Sequence, residues 1–291
     1  MSESVKPPLH NSPLNWKIFV TPVARTISDD LPPGETVRMW SPISSILIYG
    51  ERDAVLVDTP MTVTQANNLA DWVAESGKNL TTIYATHGHG DHFFGNGILL
   101  QRFPGAKAIA IPKVIEMMRQ QISPQTMAGL WNKRFPGQIP ENIVLPDPLE
   151  SDTFYLEGQE LIVIDVGHTD MDNSTCLYVP SVGLVVAGDL AYNDVHQYFA
   201  ESKTHEQRME WAAALDKVEA LKPSVVIAGH KRETNEDGPN IIDETRQYIR
   251  EFDRLVEATS STRELYDAML SLYPDRLNRG ALWASARAMK G

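Results

Sequence analysis

The sequence is poor in cysteine, in basic charge and in long apolar runs, and each shortage excludes something. Cys176 is the lone cysteine among 291 residues. It can make no intrachain disulfide and no thiolate-based zinc site, which suits a reducing compartment. No stretch approaches the roughly 20 apolar residues of a membrane span. The opening MSESVKPPLHNSPLN lacks the basic flank and apolar core of a secretory signal. The expectation is a cytoplasmic protein, off the membrane, with a flexible tail over residues 1–16 and a single domain over 17–291. Basic residues number 26 against 38 acidic ones, a net charge of −12, which argues against a nucleic-acid backbone as the main ligand. A small-molecule substrate is the expected partner, with a homodimer left open.

With 42% hydrophobic and 22% charged residues, the chain has enough apolar material for its own core. Neither a repeat nor a low-complexity tract is visible. Short β-rich runs alternate with helical patterns, which predicts an α/β fold. Ile43 to Tyr49 and Ala54 to Val57 flank a turn and read as a hairpin. Val63 to Ser76 then reads as an amphipathic helix closed by Gly77. Further strands are expected at Thr81 to Ala85, Ala106 to Ile111, Thr153 to Leu156, Leu161 to Val166, Thr175 to Val179, Leu184 to Ala187 and Ser224 to Ala228. Helices are expected within Lys113 to Arg134, broken near Ser123-Pro124, and at His205 to Leu221, Ile241 to Ala258, Ser261 to Leu272 and Ala281 to Met289. Most strands are apolar enough to be buried on both faces, so the sheets should lie between helices. The Pro-rich stretch from Phe135 to Pro148 reads as a connection within this domain.

Five apolar runs end in a residue of metal-ligand type: Asp58, His87, His168, Asp189 and His230. In layered α/β folds the carboxyl ends of strands form the edge where loops build a site, so these endings are expected to converge. The segment THGHGDH, Thr86 to His92, offers four candidate ligands in six residues, His87 among them. In extended chain His87 and His89 project to one side and can grip one ion. The glycines allow a turn that points Asp91 and His92 toward a second. His168 and His230 are available to complete the two shells, and Asp189 to bridge them. Imidazoles with carboxylates suit zinc, with iron or manganese as alternatives. Capping a helix would need Asp91 but none of the histidines. His10 and His205 stand alone and are read as ordinary surface side chains.

This arrangement resembles the metallo-β-lactamase superfamily, whose HxHxDH loop is followed by a His, an Asp and a His on later strand ends. The similarity runs over roughly residues 17 to 232. It implies an αββα four-layer sandwich and two divalent metal ions. His87, His89 and His168 would hold the first ion, Asp91, His92 and His230 the second, and Asp189 both. Asp58, in VLVDTP, would sit behind the ligands and orient an imidazole, although Pro60 stands where glycine is common.

Two adjacent cations make hydroxide available at neutral pH for attack on a carbonyl or phosphorus. Asp91 is then placed to relay a proton to the leaving group. Tyr192, three positions after Asp189, matches the tyrosine with which lactonases of this superfamily hydrogen-bond the substrate carbonyl; otherwise its ring packs under the loop. His196 is a further candidate for substrate binding or catalysis. Met117, Met118, Met127, Trp131 and Phe135 form either a lid or, more simply, core. The leading expectation is a binuclear zinc hydrolase that opens a lactone or lactam. A thioesterase of the glyoxalase II kind is the nearest alternative, with Lys231 and Arg232 reading an acidic substrate. An iron-dependent oxidoreductase resembling persulfide dioxygenases is the alternative of another class. A nuclease or phosphodiesterase is disfavoured by charge, and a binding module by the complete ligand set.

Overall fold

The structure is a computed structural model that describes residues 13–291. Two sheets lie back to back. The first has the strand order β1-β4-β5-β6-β7-β8, formed by Asn15–Val20, Ser44–Tyr49, Asp53–Val57, Asn79–Tyr84, Lys107–Ala110 and Asp147–Pro148 in turn. The second has the order β13-β12-β11-β10-β9, formed by Val225–Lys231, Leu184–Asn193, Ser174–Val179, Gln159–Gly167 and Thr153–Leu156. A two-stranded ribbon, β2 (Ala24–Thr26) with β3 (Arg38–Trp40), stands apart from both. The strand β1 begins at Asn15, inside the expected tail; residues 1–12 of that tail lie outside the described residues.

Side-chain alternation explains the layering. Ile46, Ile48, Val55 and Val57 face the other sheet, where they meet Leu177, Val179, Leu184 and Val186. Their neighbours Leu47, Ala54 and Leu56 point outward, onto helices α1 (Val63–Glu75) and α2 (Asn96–Arg102). On the far side Val185, Ala187 and Val226 pack beneath α6 (His205–Glu219) and α7 (Asn240–Ala258), with α8 (Thr262–Leu272) and α9 (Arg279–Lys290) continuing that layer. Helix, sheet, sheet, helix is the αββα order. No described helix is long and apolar enough to cross a membrane.

The segment between β7 and β8 holds α3 (Pro112–Gln121), α4 (Pro124–Thr126), a π-helical turn (Met127–Trp131) and α5 (Asn132–Arg134). Ser123 caps the second piece by accepting from the Thr126 amide, and Pro124 fits its first turn. Met118, Trp131 and Phe135 are core here, as expected, packed with Phe93 and Phe94. Cys176 is buried, and burial pushes its thiol up to about 12.

Candidate metal centre

The strand ends do converge. Asp58 follows β5 in a left-handed conformation, φ 61°, a region that aspartate enters more readily than most residues. One of its oxygens, Oδ1, accepts from the Thr86 amide at 2.8 Å, while Oδ2 accepts from the Thr86 hydroxyl at 2.8 Å and faces His92 Nδ1 at 2.9 Å. The Thr86 hydroxyl, its proton given to Asp58, is left to accept from His87 Nδ1 at 3.0 Å. One carboxylate therefore orients two imidazoles, directly and through a hydroxyl, with both Nε2 atoms turned the other way. The ring of His230 is fixed similarly, its Nδ1 donating to the Pro42 carbonyl at 2.7 Å.

These oriented atoms share a buried space. Ligand-type atoms of His87, His89, Asp170 and Asp189 lie within 4.8 Å of one another, as do those of Asp91, His92 and His230. Among the described residues His87 Nε2, His92 Nε2, Asp170 Oδ2 and Asp189 Oδ1 are buried without a hydrogen bond. His92 Nε2 faces Asp189 Oδ1 across 3.3 Å, and His230 Nε2 lies 3.0 Å from Asp189 Oδ2. Asp189 thus stands between the two groups. Leaving several lone pairs buried and unmatched is costly, whereas a cation among them satisfies all at once. The donor set fits divalent metal.

Charge follows the same geometry. Burial, with His92 beside it, holds the His87 imidazole well below its ordinary range. Burial acts in that direction on His92 too, but the Asp189 and Asp58 carboxylates outweigh it and push that ring up to about 10. For His89 burial is overcome by Asp170 and Glu201, whose carboxylates lie 2.9 and 3.0 Å from its two nitrogens and raise it well above the usual value.

The expected member that does not join is His168. Its Nδ1 lies 2.6 Å from Asp172, and its Nε2 faces the Ser202 hydroxyl at 2.9 Å, which itself donates to the Thr169 carbonyl. Both ring nitrogens are engaged outside the cage. Asp170, two residues on, is the residue of this turn grouped with His87, His89 and Asp189; its Oδ1 accepts from the Thr169 hydroxyl at 2.9 Å, and its Oδ2 faces His89 Nδ1 at 2.9 Å. Asp170, the first of the two acidic residues in GHTDMD, was the available signal.

The Tyr192 hydroxyl lies in the same cleft and donates to Asp189 Oδ2 at 2.7 Å. His196 lines the cleft above the cage, its Nδ1 2.7 Å from the Tyr248 hydroxyl and its Nε2 buried without a partner among the described residues. Burial, helped by Arg276 and Arg279, draws that ring down to about 3, so it is neutral. Lys231 and Arg232 turn away: Lys231 pairs with Asp237, and Arg232 with Asp194 and the Asp275 carbonyl.

Sequence reasoning did not single out Trp40, whose indole N–H donates to Asp91 Oδ2 at 2.8 Å. Nor did it single out Arg38, Arg134 or Glu201, which line the same cleft together with Tyr198. Trp40 and Trp131 form one wall, their rings 5.5 Å apart. The cavity volume is about 140 Å³, room for a compact ligand.

The sequence model of the metallo-beta-lactamase superfamily matches residues 38–230, from the ribbon strand β3 to the last histidine of the cage. The chain belongs to this superfamily. A curated relative, the metallo-beta-lactamase type 2 of Bacteroides fragilis, is 24% identical over 222 residues, 75% of this chain and 78% of that protein. Among solved structures, a metallo-beta-lactamase family protein of Thermus thermophilus superposes with a TM-score of 0.63 at 21% identity, covering 93% of this chain and 91% of its own. A metallo-beta-lactamase from Pontibacter korlensis gives 0.56 at 17% identity, covering 80% of this chain and 99% of its own. At such identities the structural likeness speaks for the shared αββα fold. Membership makes the chain a metallo-hydrolase by family.

Proposed function

We propose that this protein is a binuclear metal-dependent hydrolase, with zinc as its metal, that opens a small cyclic ester or amide. The observation that carries the reading is the set of buried ligand atoms, His87 Nε2, His92 Nε2 and Asp189 Oδ1 without a hydrogen bond and Asp170 Oδ2 facing His89, gathered in one space with partners behind the imidazoles. His87, His89, Asp170 and Asp189 would hold one ion, and Asp91, His92, His230 and Asp189 the other. Such a pair supplies Lewis acidity toward a carbonyl and activates water at neutral pH.

The chain's own groups do the rest. Asp91 lines the cleft with one oxygen held by the Trp40 indole, which leaves the carboxylate to take a proton from the attacking water and pass it to the departing oxygen or nitrogen. Tyr192 keeps Asp189 in position. With the Tyr248 hydroxyl donating to Nδ1, the neutral His196 ring offers its Nε2–H to a substrate oxygen. The aromatic wall of Trp40 and Trp131 shields a compact apolar ring from bulk water.

The thioesterase alternative loses its expected basis, because Lys231 and Arg232 are both committed to acidic partners. A parallel assay of a lactone, a lactam and a thioester on the metal-loaded protein separates the readings. Ring opening at least about 10-fold faster than thioester cleavage is expected; thioester turnover without ring opening would overturn the proposal.

A further inference from the structure

The His196 ring is held in the cleft by a residue that does not itself line it. Arg276 lies in the connection between α8 and α9, C-terminal to the segment that matches the superfamily, and it is buried. Its guanidinium carbon sits 4.5 Å from the centre of the Tyr248 ring and 4.7 Å from that of Tyr273. Its Nη1 donates at 3.2 Å to the carbonyl of Val195, the residue before His196. The residue after it, Leu277, accepts from the His196 amide at 2.9 Å and donates to the Asp194 carbonyl at 3.0 Å. Arg276 therefore bears on both attachments of His196: its backbone, through this short parallel pairing, and its ring, through Tyr248.

The Tyr248 hydroxyl and His196 Nδ1, 2.7 Å apart, share one hydrogen bond, and either atom can carry the proton. Were Nδ1 the donor, the buried phenol proton would have no acceptor among the described residues, a costly arrangement. With the phenol as donor, that cost disappears. A cation over the ring strengthens this choice, because it stabilises electron density on the phenol oxygen and so makes O–H the better donor. Burial pushes the Tyr248 phenol well above its ordinary range, and the Arg276 charge works against that rise. We infer that Arg276 is the positioning residue for His196: it holds the backbone before the ring and sets Tyr248 to donate, which fixes the imidazole proton on Nε2, facing the cleft. The catalytic consequence rests on the hydrolase reading, in which that Nε2–H meets a substrate oxygen; the placement of the proton does not.

The test has a spectroscopic arm and a turnover arm. Isotope-labelled, zinc-loaded protein is read by long-range proton–nitrogen NMR, in which the two imidazole tautomers give different patterns, with His196→Gln assigning the His196 signals. Wild type should carry the proton on Nε2. Tyr248→Phe and Arg276→Gln should both shift it toward Nδ1, and Arg276→Lys, a cation without the planar stack, should shift it less. Thermal melts confirm folding, and Arg276→Met is the second neutral replacement should Arg276→Gln fail to fold. In the turnover arm, Arg276→Gln should lower kcat for ring opening by at least about 10-fold with little change in KM, short of the roughly 100- to 1,000-fold lost with a whole oxyanion donor. In a His196→Gln background, whose amide brings its own N–H, the same change should cost little more. A proton on Nδ1 in wild type overturns the proposal, as does a tautomer unmoved in a folded neutral Arg276 variant, or an equal kcat loss in both backgrounds. Failure of every ring to open sinks the hydrolase reading, and the NMR patterns then judge Arg276 alone.

Discussion

Asp170 and His168 stand two positions apart in one turn, and the local hydrogen bonds decide which of them faces the cage. The imidazole is held between Asp172 and Ser202, while Asp170 Oδ2 faces His89 Nδ1 at 2.9 Å. The cluster of ligand-type atoms thus includes a carboxylate that the sequence pattern does not name. Asp170→Ala should lower affinity for the first ion by more than the roughly 10–100-fold typical of groups behind a ligand, whereas His168→Ala should retain both ions. Competition with a chromophoric chelator reads this directly; the opposite ranking would restore His168 to the cage. At this scale the sequence was legible wherever a ligand sits in a rigid frame, as in THGHGDH or at the ends of β12 and β13. It was illegible where one turn offers two candidates, and where a side chain such as Trp40 or Arg134 arrives from a distant segment with no motif of its own.

The elements explain why the cage is precise. Strands β12 and β13 run parallel, and their glycines let them meet at the cage: Gly188 adopts φ 53°, and a Cβ on it would lie 2.6 Å from the Thr86 hydroxyl. A Cβ on Gly229 would run into Asp189 Oδ1 and lie 2.7 Å from the Gly188 carbonyl carbon. Gly229→Ala should therefore cost about 1–3 kcal/mol through overpacking and displace the central carboxylate. Gly105→Ala, which meets nothing within 4 Å, should do neither. Urea denaturation with metal analysis of both variants checks the contrast; unchanged metal content in Gly229→Ala would contradict it. Long apolar strands and amphipathic helices such as Val63–Glu75 were readable from periodicity. The ribbon strands Ala24–Thr26 and Arg38–Trp40 span three residues each, too few for a period to show, yet they carry Trp40 and Arg38 to the cleft.

At the scale of the molecule, the two sheets bury one face against each other and the other against helices, leaving one edge of the sandwich where strand ends meet. That the sheets lie between helices followed from runs such as Ile46–Ile48 and Val55–Val57, whose side chains are buried on both sides, while the four-layer αββα order was implied by the family resemblance. The cleft required the whole chain. It draws on the N-terminal ribbon, the helical segment before Phe135, and the last helix, whose Ala281 and Ala284 line its far side. The central claim is that this assembly is a cage for two cations on which hydrolysis depends. Elemental analysis of the purified protein before and after a chelator, with ring-opening rate followed on the same samples, tests it most directly. The account predicts two equivalents of divalent metal per chain, loss of turnover in step with their removal, and recovery of both on adding zinc. Full turnover by metal-free protein would contradict it.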